Sequence, residues 1–332
     1  MEYRKIGQTD LEASVVSLGG WAIATDKTWG AQDEATSIAT IHAALDAGIN
    51  YFDTAEGYGY GKSEEYLGKA LARRRQEVLI VTKVEVDLEY VSGPQVIQHC
   101  EASLRRLNTD YIDIYRIHWP SRITPLEETV AAIETLRQQG KVRYLGVANF
   151  GAQDMADLLA LGQPVGSNEF AYNLLFRPIE YAVQPKCLAH QISIFPYSPL
   201  AQGLLTGKFA SADEVPLNRA RTRHFSKERQ LTVHGQAGHE QATFAAIERI
   251  RAICQELKEP MASVALAWLL YQPGVTSVIA GARNPAQVNE NVRAAYLALS
   301  NDILKQLMDA TADLKAEMGP NPDMWRAVSR IC

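Results

Sequence analysis

Eight short apolar runs recur along the chain: VVSLGG, NYFDTA, VLIVTK, YIDIYRIH, YLGVAN, GSNEF, SIFPYS and TSVIAG. Each has strand length and few polar residues before its final positions. A strand with one wet face alternates apolar and polar side chains, whereas a near-continuous run marks a strand covered on both faces, as in a parallel sheet sheathed by helices. The stretches between the runs carry apolar residues at helical spacing: Ile38, Ile41 and Leu45; Ile97, Cys100, Leu104 and Leu107; Leu126, Val130 and Ile133; Phe244, Ile247, Cys254 and Leu257. The runs end near Gly20, Asp53, Lys83, His118, Asn149, Glu169, Tyr197 and Gly281. Most ends are separated by about 20 to 35 residues, the length of one strand–helix unit. Eight such units close into a barrel, so the predicted fold class is α/β, a (β/α)8 TIM barrel whose reactive groups sit at the carboxyl ends of the strands.

No linker or low-complexity stretch divides the 332 residues, which are expected to form a single domain over 1–332 with an N-terminal cap over about residues 1–14. The long interval between Tyr197 and Gly281 predicts a loop over about residues 198–240, then C-terminal helices in QATFAAIERIRAICQEL and MASVALAWLLY. A loop that long in a compact domain is usually functional. The rival architecture, a doubly wound dinucleotide-binding sheet, needs GxGxxG after its first strand, where this chain has SLGGWAIAT.

Acidic residues outnumber Lys and Arg by 38 to 33, a net charge of -5, which argues against a nucleic-acid partner. No window approaches the roughly 18 uninterrupted apolar residues of a membrane span. Cys100, Cys187, Cys254 and Cys332 lack metal-ligand spacing and read as reduced thiols, so the expected address is the cytoplasm.

Four residue types suited to one reaction fall at or just beyond predicted strand ends: Asp53, Tyr58, Lys83 and His118. Taken singly, they read as a turn cap, a surface tyrosine, a snorkelling lysine and a satisfied core histidine. Brought to one rim, they can pass a proton to a carbonyl oxygen as it becomes an alkoxide. A phenol with a pKa near 10 needs its anion stabilised by roughly three pH units, about 4 kcal/mol, to act efficiently near neutrality. A lysine about 4 Å away supplies roughly that much at an effective dielectric near 20. In this reading Asp53 orients Lys83 and His118 donates to the growing oxyanion; no metal and no covalent nucleophile is required.

The segments DTAEGYGYGKSEE, VTK, SLRRLNTDYIDIYRIHWP, GKVRYLGVANF, FPYSPLAQGLLTGK and VIAGARNPAQVNENV, spanning about residues 4 to 300, resemble the aldo-keto reductases. Among them the chain most resembles the bacterial inositol-associated and general-stress reductases. The resemblance implies Asp53, Tyr58, Lys83 and His118 as a catalytic tetrad, with NADP(H) as cofactor. It also implies hydride transfer to an aldehyde or ketone, with Tyr58 as general acid. Cofactor contacts would fall to Gly20, Trp21, Asp53, Asn149, Glu169, Tyr197, Ser198, Leu200, Gln202, Gly203, Lys208, Gly281, Arg283, Gln287 and Asn291. Tyr197 would stack on the nicotinamide, or serve as an ordinary barrel aromatic. Arg283 would hold the 2′-phosphate, which favours NADP over NAD, or remain a solvated charge.

Two positions depart from the family pattern. Ala148 replaces a serine and Glu169 a glutamine that grip the carboxamide; Glu169 can accept from the amide but, ionised, cannot donate. Trp21, Trp29, Tyr58 and Trp119 are candidate walls of an apolar substrate pocket for a small carbonyl or alcohol. The basic run 219–229 reads either as a solvated loop or as a lid over the cofactor phosphates. The same residues would serve an NAD(P)-linked alcohol or sugar dehydrogenase working in the oxidative direction. A cofactor-binding regulatory subunit of the channel β-subunit type is a further alternative.

Overall fold

The computed structural model describes all residues from Met1 to Cys332. Two short strands, β1 (Tyr3–Lys5) and β2 (Glu12–Ser14), form an antiparallel hairpin ahead of the main sheet. Eight parallel strands follow: β3 (Val16–Gly19), β4 (Tyr51–Asp53), β5 (Leu79–Val84), β6 (Ile112–Ile117), β7 (Val142–Ala148), β8 (Val165–Ala171), β9 (Ser193–Tyr197) and β10 (Val278–Gly281). Each pairs with its sequence neighbour, and β10 returns to β3. The remaining gap is bridged by Ile194, whose N–H donates to Gly274 and whose carbonyl accepts from Thr276. The sheet is thus a nearly closed (β/α)8 barrel, as the rhythm of apolar runs predicts.

The helices sheathe this barrel: α1 (Glu34–Asp46), α2 (Lys62–Leu71), α3 (Gly93–Leu107), α4 (Leu126–Gln138), α5 (Ala152–Ala160), α6 (Val183–Ala189), α7 (Glu240–Leu257), α8 (Met261–Leu270), α9 (Pro285–Val292), α10 (Asn301–Ala310) and α11 (Ala312–Met318). Their apolar stripes explain why they pack there. On α3, Val96, Cys100, Leu104 and Leu107 are buried at spacings of three and four, and the helix ends at Asn108, whose left-handed backbone (φ 49°) closes it. None of these helices is long and apolar enough to cross a membrane.

Inside the barrel, alternate residues of each strand point to the axis, and their chemistry changes with height. At the floor Tyr51, Leu79, Val81, Ile114, Phe195 and Ile279 cluster with Ile6, Leu11 and Ala13 of the N-terminal hairpin, which plugs that end. Two residues further along the same strands stand Asp53, Lys83, Arg116, Tyr197 and Gly281. The apolar floor therefore supports a polar upper layer. At β7 the layer needs a glycine: a Cβ on Gly146 would lie 2.7 Å from Ile114 and 2.9 Å from Arg116, so only glycine leaves room for the arginine.

Candidate active site

The carboxyl ends of the strands open into a cleft of about 850 Å³, lined by Asp53, Tyr58, His118 and the tryptophans Trp21, Trp29 and Trp119, among others. At its base Lys83 Nζ donates to Asp53 Oδ1 at 2.5 Å and to the Thr54 carbonyl at 2.9 Å. The ammonium lies 5.1 Å from the centroid of the Tyr58 ring. His118 meets Tyr58 edge-on, with centroids 5.9 Å apart, and Trp21 stacks on Tyr58 at 6.2 Å. Asp53 and Tyr58 at and beyond the end of β4, Lys83 of β5 and His118 after β6 are one cluster in space.

The cluster holds a charge that sequence reasoning missed. Arg116, in the middle of the run YIDIYRIH, is fully buried and donates from Nη1 to Asp53 Oδ2 at 2.9 Å and to Glu169. Its Nη2 donates to Tyr51 Oη at 2.7 Å and Ser167 Oγ at 3.1 Å. Glu169 also lies 3.4 Å from Lys83. Two carboxylates and two cations thus alternate at the barrel centre, with Asp53 and Glu169 each touching both Lys83 and Arg116. These two cations engage Glu169 Oε2, so an acceptor for a carboxamide could only be its other oxygen. The signal available in sequence was the lone arginine itself, since an unpaired guanidinium inside a strand covered on both faces is too costly to stand without a carboxylate partner.

Burial raises Asp53, with help from the neighbouring Glu169 carboxylate, to about 6 despite Lys83 and Arg116. Burial also acts upward on Glu169, but Lys83, Arg116 and His118 outweigh it and hold Glu169 below its ordinary value. Tyr58 differs from the sequence expectation. Burial, then Glu169, Asp53 and Glu85, pushes its hydroxyl well above 10, and Arg116 only partly opposes this. The phenol is accordingly protonated at neutral pH, and the Lys83 ammonium, 5.1 Å from its ring, stands where it can offset the charge of a phenolate. His118 Nδ1 lies 3.3 Å from Glu85 Oε1, close enough to pair with a protonated ring but outside hydrogen-bond geometry.

The predicted cofactor residues line the same cleft. Asn149, at the end of β7 with φ 63°, donates to the His118 carbonyl at 3.1 Å and accepts from Tyr197 Oη at 2.9 Å. Tyr197 is thereby tied to the strand that carries His118. Beyond it the chain turns through left-handed backbone at Ser198, Ala201 and Gln202, conformations that cost non-glycine residues roughly 1 kcal/mol or more each and concentrate at ligand sites. Buried Gln202 leaves both side-chain amide atoms without a protein partner. A Cβ on Gly203 would stand 3.3 Å from Lys208 Nζ and 3.7 Å from Arg219 Nη1, so two cations hang over this glycine. Such a set fits an extended phosphoryl-bearing ligand. Leu200, Gln287 and Asn291 also face the cleft; the Asn291 amide donates to the Gly281 carbonyl.

Two further predicted ligand residues, Gly20 and Arg283, are also held by protein partners. Gly20 donates to the Asp53 carbonyl at 2.6 Å and accepts from Ser63 Oγ at 2.8 Å, and a Cβ there would lie 2.5 Å from that hydroxyl. Its role in the structure is close approach of β3 to β4. Arg283 donates to the carbonyls of Trp29 and Ala31 and, at 2.9 Å, to Gln32 Oε1, fastening the loop after β3 to the mouth of β10.

Residues 15–311 match the Aldo/keto reductase family model. The chain belongs to the aldo/keto reductase family. It is similar to the aldo-keto reductase YhdN of Bacillus subtilis (strain 168), with 36% identity over 297 residues and 87% of each chain covered. It is also similar to the NADH-specific methylglyoxal reductase of Escherichia coli (strain K12), 35% identical over 335 residues, which covers 94% of this chain and 97% of the relative. The crystal structure of the thermostable aldo-keto reductase Tm1743 with the inhibitor epalrestat superposes with a TM-score of 0.76 at 27% identity, covering 93% of this chain and 100% of that one. The chain is therefore an oxidoreductase.

In this aldo/keto reductase Arg219 and Arg221 of the basic run 219–229 line the cleft, joined by Trp325, Arg326 and Arg330, which the sequence did not announce. Three arginines lie over the tryptophans of the mouth. Arg219 lies 5.2 Å from the Trp29 ring, Arg221 lies 5.6 Å from Trp21 and 4.8 Å from Trp325, and Arg330 lies 3.6 Å from Trp119. The basic run 219–229 is accordingly split in two. Arg223 donates to the Met318 and Asn321 carbonyls and Arg229 pairs with Glu240 and Asp213, fixing the loop, while Arg219 and Arg221 face the cleft.

Proposed function

We propose that this aldo/keto reductase reduces aldehydes or ketones with NADP(H), using Tyr58 as the general acid. The observation that carries the reading is the convergence of Asp53, Tyr58, Lys83 and His118 at the base of one cleft, beside a run of left-handed backbone under uncompensated cations. A nicotinamide dinucleotide bound there supplies the hydride. Tyr58, kept protonated by its buried surroundings, hands its proton to the carbonyl oxygen as negative charge develops on it. Lys83 then faces the phenolate, and Asp53 keeps the ammonium in place. His118 stands on the other side of Tyr58, where an imidazole N–H can steady the same oxygen. Trp21, Trp29 and Trp119 line the mouth with apolar surface, and a substrate seated on them would displace water and strengthen each of these interactions.

NADP(H) is preferred to NAD(H) because Lys208, Arg219 and Arg283 crowd one end of the cleft with no carboxylate within ion-pair distance of any of them. Arg219 is held below its ordinary value by burial and then by Arg283, as expected where positive charge is in excess. The similar methylglyoxal reductase of Escherichia coli is NADH-specific, so both cofactors are compared. Arg283→Ala should weaken NADPH at least tenfold and NADH less than threefold in fluorescence titrations. Equal losses would confine Arg283 to fastening the loop after β3.

Tyr58→Phe is the direct test of the acid. Carbonyl reduction should fall by 10³-fold or more while NADPH affinity changes less than threefold, a pattern that separates chemistry from binding. Turnover that survives the substitution removes Tyr58 from the reaction.

A further inference from the structure

The cations of the cleft fall into separate groups. Lys208 and Arg219 meet over Gly203, and Arg283 joins them at the β10 end. Arg221 stands apart, against Trp21 and Trp325, and Trp21 is the ring stacked on Tyr58. Arg221, like Arg330 over Trp119, therefore stands toward the reacting end rather than the phosphoryl end.

Nothing in the protein neutralises it. Its Nη2 donates to Thr28 Oγ1 at 3.1 Å, its buried Nε has no acceptor, and no carboxylate lies within ion-pair distance. Asp26 acts on it only from beyond ion-pair distance, with Oδ1 held by the N–H groups of Thr28 and Trp29 at 2.8 and 2.6 Å. By contrast Arg330, which also stands at this end of the cleft, is paired with Asp323 at 2.9 Å. A half-buried guanidinium fixed between two indole faces, with an unused donor edge, is built to receive an anion.

We propose that Arg221 is a substrate-recognition residue, and that the preferred substrates are small aldehydes or ketones bearing an anionic group, a carboxylate or a phosphate, a few bonds from the carbonyl. Tyr58 engages the carbonyl oxygen and Arg221, one tryptophan away, the anion. This rests on the reductase reading above, which supplies the reaction but says nothing of the substrate's charge.

The test compares matched carbonyls: succinic semialdehyde against butanal, and glycolaldehyde phosphate against glycolaldehyde, with NADPH. The wild-type protein should favour at least one charged member by tenfold or more in kcat/KM, and the larger ratio identifies the anion. Arg221→Met, which keeps an apolar stem between the indoles, should abolish that preference through KM and change the neutral members less than threefold; Arg221→Lys should keep part of it. A second readout is independent of turnover. Succinate or phosphoglycolate, added to the NADP⁺-loaded protein and followed by tryptophan fluorescence, should bind at least tenfold more weakly to Arg221→Met. Absence of any charge preference overturns the inference while leaving the reductase reading intact. Equal losses on charged and neutral carbonyls, with weakened NADPH, would assign Arg221 to the dinucleotide and overturn it as well. Arg221-dependent anion binding without reduction of any carbonyl would uphold the anion site and overturn the reductase reading.

Discussion

Arg116 places a full positive charge at the barrel centre, where an isolated ion is prohibitive and only matched partners make it tolerable. The four groups Lys83, Arg116, Asp53 and Glu169 sum to zero charge, so the balance that Tyr58 senses is set as much by the Arg116–Glu169 pair as by Lys83. Arg116→Gln leaves two carboxylates facing one ammonium. Their shared proton is then held more tightly, and the acidic limb of the reduction rate, expected near the Asp53 value of about 6, should move up by about one pH unit. Glu169→Gln removes the carboxylate that repels Asp53 and should move the limb down by a similar amount. The double variant restores neutrality and should return the limb toward its original position, with kcat recovering relative to the worse single variant. Activity losses with unmoved pH profiles would confine the pair to a scaffolding role. Asp53, Tyr58, Lys83 and His118 were legible because each ends or closely follows an apolar run. Arg116 was not, because the run around it is otherwise so apolar that the charge read as incidental. Its partner Glu169 was visible as the end of the run GSNEF and as a departure from a resemblance, but its orientation depends on an arginine contributed by another strand.

At the scale of elements, barrel strands declare themselves and the connection after β9 does not. The residues of β5 are all buried, which is why VLIVTK reads correctly from composition alone. Residues 198–239 have no period to read, and their order comes from individual side chains seeking distant carbonyls. Asn218 donates to Thr28 at 2.5 Å, Arg223 to Met318 at 2.9 Å, and buried His224 bridges Thr222 Oγ1 at 2.9 Å and the Leu175 carbonyl at 3.0 Å. Burial pulls His224 down to about 4. The folded loop thus holds a neutral imidazole that a melted loop would charge below pH 6.5. The associated stability, up to about 3 kcal/mol, is fully present above that pH and is lost as pH falls toward 4. Limited proteolysis should therefore cut within residues 198–239 faster at pH 5 than at pH 7.5. In His224→Asn, which has no group titrating in this range, the pH dependence of cutting should largely vanish. An unchanged pH dependence in that variant would show that another group controls the loop.

Across the whole molecule, the two ends of the barrel carry different obligations. The mouth gathers cations and strained backbone, whereas the floor is a dry plug in which Ile6, Leu11 and Ala13 of the hairpin meet Tyr51, Ile114 and Phe195 from the strands. Barrel enzymes keep chemistry at the carboxyl ends and stability at the opposite face. The division here is made along single strands: β6 presents Ile114 to the floor, Arg116 to the charged layer and His118 to the cleft, two residues apart each time. Removing bulk from the plug should cost stability without reaching the reaction. Leu11→Ala, at a residue 3% exposed, leaves a cavity against the floor and should destabilise the fold by about 2 to 4 kcal/mol. Chemical denaturation should register this as a lower midpoint with an unchanged slope, while KM and kcat at 25 °C stay within twofold of the parent. A variant that unfolds at the original denaturant concentration would mean that the hairpin is an ornament on a barrel sealed from within. Impaired kinetics in a protein still fully folded would mean that floor packing is transmitted through the charged layer to Tyr58, and that the two ends are mechanically one.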